Sequence, residues 1–184
     1  MNFIASLASR LFGVALVALS VFVAAETLAR KLFNFSFEGA DELGGYVLAV
    51  GSSLAFTVAL VERAHIRIDI LHQRFPLRMR AILDWLSIVA LALLGLFIVW
   101  VGQAVIRDTL DYGSTAATPW ATPLIWPQGL WYAALCLFAL AAVLLAVRAS
   151  LLLFTGRTEE LTSEFHPKGV LEELEEELTD LGAR

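Results

Sequence analysis

Cysteine is nearly missing from this chain: Cys136 is the only one in 184 residues. A lone thiol excludes an intramolecular disulfide and a cysteine metal cluster. Charge is thin as well, at 17% of residues. None of the three histidines falls inside a long apolar run, which is where the axial ligands of a membrane cytochrome would sit. The same runs have no charge near their middle, where a transport route usually places polar groups. Gln103 is the one candidate for such a group, and it lies near an end of its run. Ser52, Ser53 and Thr57 have no histidine or aspartate beside them in the apolar stretch to act as a base, so hydrolase chemistry is poorly served.

What is present is apolar. Hydrophobic residues make up 59% of the chain and the mean hydropathy is +0.75, well outside the range of a water-soluble domain of this length. The formal net charge of −5 describes mainly the tail, because nine of the eighteen acidic residues follow Arg157. Nothing in that balance points to nucleic acid.

A hydrocarbon core about 30 Å thick needs roughly twenty helical residues. Four runs meet that need, with spans expected at about 8–30, 42–62, 84–106 and 126–148. Pro119, Pro123 and Pro127 mark the loop before the fourth as unfavourable for regular helix. No period-two pattern supports a barrel, so the fold class expected is an all-α integral membrane protein with four transmembrane helices. For the first run, a cleaved secretory signal ending at Val23-Ala24-Ala25 is the competing reading. Residues 151–184 read as an acidic tail in which Leu171, Leu174, Leu178 and Leu181 form a stripe too short for a coiled coil.

Orientation follows from the basic residues, ten of which flank one side of the spans against Arg30, Lys31 and Arg107 on the other. The positive-inside rule then places both termini in the cytoplasm. Trp120, Trp126 and Trp131 gather at the outer headgroup level and Trp85 at the inner one.

Between the second and third spans lies VERAHIRIDILHQRFPLRMR, from Val61 to Arg80. On a helix, Ala64, Ile68, Leu71, Phe75 and Met79 share one face, while His65, Asp69 and His72 occupy another. This predicts an amphipathic interfacial helix at about 63–75, with Arg67, Arg74 and Arg78 meeting anionic lipid headgroups. A metal site at His65, Asp69 and His72 is the sharper alternative, but three ligands spread over about 10 Å of helix suit a compact tetrahedral site poorly. The second span carries Gly45, Ala49, Ser52, Ser53, Ala55 and Ala59, small residues suited to close helix packing.

The segments RKLFNFS from Arg30, Asp41-Glu42-Leu43 opening the second span, Glu62-Arg63-Ala64-His65-Ile66-Arg67-Ile68-Asp69 after it, and the loop YGSTAATPWATPLIWPQG occur in an order that resembles one family. It is the small membrane subunit of TRAP transporters, the tripartite ATP-independent periplasmic carriers. The resemblance covers roughly Phe12 to Arg148. It implies a large multispan partner carrying the substrate and sodium sites, a periplasmic binding protein that captures an organic acid, and location in the bacterial inner membrane. It implies no cofactor on this chain and no enzyme activity. Arg30, Glu42, Arg63, His65 and Asp69 become candidate partner or structural contacts, with Arg30 and Glu42 placed to pair across a short loop. A self-sufficient oligomeric channel or carrier and the membrane anchor of a redox enzyme are the alternative functions.

Overall fold

The computed structural model describes residues 2–36, 38–61 and 75–165, with side chains from Phe12 onward. Among the described residues five helices form: α1 (Asn2–Phe33), α2 (Ala40–Val61), α3 (Leu77–Tyr112), α4 (Ile125–Phe154) and the short α5 (Thr158–Phe165). Four of them are long and apolar enough to cross a membrane, over Phe12–Phe33, Ala40–Val61, Leu77–Tyr112 and Ile125–Phe154. No strand occurs among the described residues; an isolated bridge joins Thr115 and Pro123. The predicted interfacial helix lies outside the described residues, apart from a bend at Phe75, and so do residues 166–184.

Helix ends follow local chemistry rather than membrane thickness. Gly39 offers its carbonyl to Leu43 N–H at 3.0 Å and starts α2, whose first turn carries Asp41 and Glu42 where the helix dipole favours negative charge. Pro76 accepts from Met79 and Arg80 N–H and starts α3. That helix ends where Gly113 turns left-handed (φ 58°) and Ser114 N–H bonds Thr109 O at 3.1 Å. Thirty-six residues make α3 about 54 Å long, which exceeds a hydrocarbon core and carries its charged ends beyond it. Pro127, expected in the loop, lies inside the first turn of α4, where a missing N–H costs nothing.

The chain divides into two compact units, Met1–Val58 with Phe97–Phe138 and Ala59–Leu96 with Ala139–Arg184. In the first unit, the Phe12 ring lies directly over Gly51, the Tyr132 ring lies against Gly102, and Phe56 and Phe138 meet with centroids 6.2 Å apart. In the second, Ala81, Ile88, Ala149, Leu152, Leu161 and Phe165 form a buried cluster, with Trp85 and Leu145 packed against it. Along α4 the buried positions are mainly small, at Ala134, Ala139, Ala142 and Ala149, whereas Leu130, Leu140, Leu144 and Leu151 face outward. Small residues inside allow close helix approach without a hydrophobic driving force from water.

Candidate functional site

The polar side chains of the first unit converge on the turn between α1 and α2 and on the loop 113–124. Glu26, on α1, is buried to 2% exposure, an expensive position for a carboxylate on a membrane-crossing helix. Its Oε1 accepts from Arg30 Nη2 at 2.5 Å and from Ser36 Oγ at 2.8 Å. Ser36 Oγ in turn accepts the Glu38 N–H at 3.1 Å, so one carboxylate organises the whole turn. Asn34 and Glu38 take left-handed backbone angles there, φ 50° and 58°.

Glu42 performs the equivalent task for the loop. Buried to 7% exposure, it accepts from Tyr46 Oη at 2.8 Å and from the Thr118 hydroxyl, with Thr122 beside the same carboxylate. The loop is a miniature hairpin in its own right: Ala116 N–H bonds Thr122 O at 2.9 Å, Leu124 N–H bonds Ser114 O at 3.0 Å, and Ala121 N–H closes the tip on Thr118 O at 2.9 Å. Trp120, at the tip, lies on Gly39, so close that no side chain would fit between them. Thr109, 6% exposed, donates to Gln128 Oε1 at 2.5 Å and ties α3 to α4 beside the loop.

Arg30 and Glu42 therefore do not pair, contrary to the expectation from the short loop. Arg30 takes Glu26, four residues back on its own helix, and Glu42 is occupied by hydroxyls. A same-helix partner at that spacing needs no loop ordering, which decides the competition. The Arg30 side chain stays 61% exposed, leaving much of its guanidinium open. Among the other expected residues, Trp85 donates to Ser150 Oγ at 2.9 Å, Arg78 is exposed, Trp126 is 72% exposed, and Trp131 lies near Gly102. Arg63, His65, Arg67, Asp69 and Arg74 lie outside the described residues, as does His72. The described residues contain no group of three His, Cys, Asp or Glu side chains able to hold a metal.

Sequence reasoning misses Glu26, which reads only as a boundary charge, and Asp84, which is 1% exposed on α3. The spacing Glu26-x-x-x-Arg30 is the available signal for the first. Asp84 has none beyond its place next to Trp85.

A family model described as "Tripartite ATP-independent periplasmic transporters, DctQ component" matches residues 3–152. The chain belongs to this family. DctQ proteins are the small membrane component of TRAP transporters, which work with a large membrane subunit and a periplasmic binding protein. It is a family of transporter components and not of enzymes. A search of curated proteins returned no match. The DctQ match takes in Glu26, Glu42 and the loop that Glu42 holds, and it stops at Leu152, before α5.

Proposed function

We propose that this chain is the fixed companion of a large TRAP subunit, enlarging the scaffold against which that subunit carries an organic acid inward on a sodium gradient. The binding protein would deliver the acid, and the substrate and sodium sites would belong to the large subunit. The observation that carries the reading is the DctQ match across all four apolar helices. It is supported by the character of the exposed faces. On α2, Gly45, Ala49, Ser52 and Ala55 are exposed on a face they share with Leu48 and Phe56, and space over Gly45 is open, whereas α4 presents Leu140, Leu144 and Leu151 outward. Bulky aliphatic faces suit lipid; small-residue faces suit a neighbouring helix.

In this reading Arg30 offers its open guanidinium edge to a partner on the outer side, and Glu42 sets the shape of the loop beside it. Arg63, His65 and Asp69 serve as structural contacts on the inner side. Arg67, Arg74 and Arg78 face headgroups, with Trp85, Trp120, Trp126 and Trp131 as interface anchors. The chain would lie in the bacterial inner membrane with both termini cytoplasmic.

Reconstitution tests the proposal. Liposomes holding the large subunit and this chain, supplied with binding protein and an inward sodium gradient, should accumulate organic acid, and omitting this chain should abolish uptake. Uptake by the large subunit without it overturns the companion role, and flux through liposomes holding this chain alone would favour the oligomeric carrier. Single cysteines at Arg74 and Ser114 in a Cys136→Ser background test orientation: an impermeant thiol reagent should label only the second in intact cells.

A further inference from the structure

Helix α5 lies beyond the DctQ match, yet Leu161 is fully buried and Phe165 is 6% exposed in the apolar cluster of the second unit. The turn that brings it there is built for reversal: Gly156 adopts φ 76°, and Arg157 N–H bonds Leu152 O at 3.0 Å. Ala81 and Ala149, both fully buried, are the small members of the cluster that receives the two side chains. An ion pair joins α5 to α4, Arg148 Nε to Glu164 Oε1 at 2.7 Å.

Over its described residues α5 owes its helix chiefly to the packing of Leu161 and Phe165, since tertiary contacts supply most helical stability in a protein. Its docking rests on few side chains. Among its described residues Leu161 and Phe165 are the only large apolar ones, and the other six are polar or acidic. Thr162 Oγ1 is buried with no hydrogen-bond partner among the described residues, a defect that weighs on the docked state alone. We propose that α5 is a charge-latched strap, folding and docking in a single step, that holds α3 and α4 together while docked and is loosened when the Arg148–Glu164 pair is broken. The strap depends on the geometry of the second unit and is independent of what the transporter carries.

Amide exchange on the full-length chain in lipid nanodiscs, read separately over 158–165 and 81–88, tests the strap. Arg148→Gln and Glu164→Gln should each speed exchange in α5, by up to about fivefold for a part-exposed pair. Arg148→Glu with Glu164→Arg should restore it. Thr162→Val should slow exchange by about fivefold or more, because the unpartnered hydroxyl is gone. In every case exchange over 81–88 should follow in the same direction. If the charge reversal exchanges as fast as the single variants, the latch is wrong. If 81–88 stays constant while α5 changes, α5 is an appendage and holds nothing.

Discussion

Glu26 and Glu42 hold the unit formed by Met1–Val58 and Phe97–Phe138 through hydroxyl and guanidinium donors, whereas the unit formed by Ala59–Leu96 and Ala139–Arg184 closes on Leu161, Phe165 and a set of alanines. The connecting segments explain the contrast. In the first unit the turn 34–39 and the loop 113–124 are irregular, so the hydroxyls of Ser36 and Thr118 need acceptors, and two carboxylates provide them. In the second, α4 passes to α5 through Thr155, Gly156 and Arg157, whose N–H groups all bond carbonyls of the preceding helix. Nothing in that turn calls for a carboxylate, and the packing around it is apolar, although the same unit buries Asp84 on α3. In the first unit, the buried carboxylates that hold a connection go with irregular backbone.

Breaking the apolar unit should have the largest effect. Leu161→Ala removes a fully buried side chain from the cluster and should destabilise by about 2–5 kcal/mol, as large-to-small core changes do. Thermal unfolding in detergent measures the loss. Exchange in the loop 113–124 should stay as in the parent, since among the described residues the donors to Glu42 are not members of the Leu161 cluster. A loop that loosens with Leu161→Ala would show that the two units are not separately held.

Gly39→Val attacks the polar unit through shape rather than charge. Its branched side chain meets the Trp120 ring and forces the tip of the loop away, at a cost of about 1–3 kcal/mol for overpacking. Tryptophan emission should shift to the red relative to a Gly39→Val, Trp120→Phe control, while Gly45→Val, with open space around it, should leave the spectrum unchanged.

Glu42→Ala ranks next. It leaves the Tyr46 and Thr118 hydroxyls without their acceptor, and exchange over 113–124 should rise by about fivefold or more. Glu42→Gln keeps an oxygen acceptor in place and should fall between the parent and Ala. Equal effects from both substitutions would mean that charge, and not the acceptor, holds the loop.

Much of this architecture is legible in the amino-acid sequence. Four apolar runs and their order predict four spanning helices, because hydropathy is summed over twenty residues and tolerates local error. The bounds are less legible. Hydropathy places the third span at 84–106, whereas α3 runs from Leu77 to Tyr112, since Pro76 and Gly113 stop it and the edge of the lipid does not. Glu42 stands out in the sequence as a contact residue, but its bond with Thr118 joins residues 76 positions apart and leaves no periodic trace. α5 reads as part of the acidic tail because Leu161 and Phe165 are only two apolar residues among charges, and their burial comes from a cluster with Ala81, Ile88, Ala149 and Leu152 that no local pattern announces.

Arg30→Gln should have the smallest effect on the molecule and sharpens the comparison most. The Arg30 side chain is 61% exposed, and Glu26 keeps Ser36 as a donor after the guanidinium is gone. The pair is open only on the Arg30 side and Glu26 stays buried, so with Ser36 still donating the unfolding midpoint should fall by about 2–4 °C. Glu26→Gln, by contrast, alters the buried acceptor that Ser36 and the turn depend on, and should loosen residues 34–36 measurably in exchange. Function should rank the pair the other way if the open edge of Arg30 meets a partner. Uptake by the reconstituted transporter should then fall with Arg30→Gln although the isolated chain remains intact, and Arg30→Lys should recover only part of it, because an ammonium keeps the charge and loses the fork of donors. Unchanged uptake in both Arg30 variants would reduce Arg30 to a companion of Glu26 and assign the polar unit a structural duty alone.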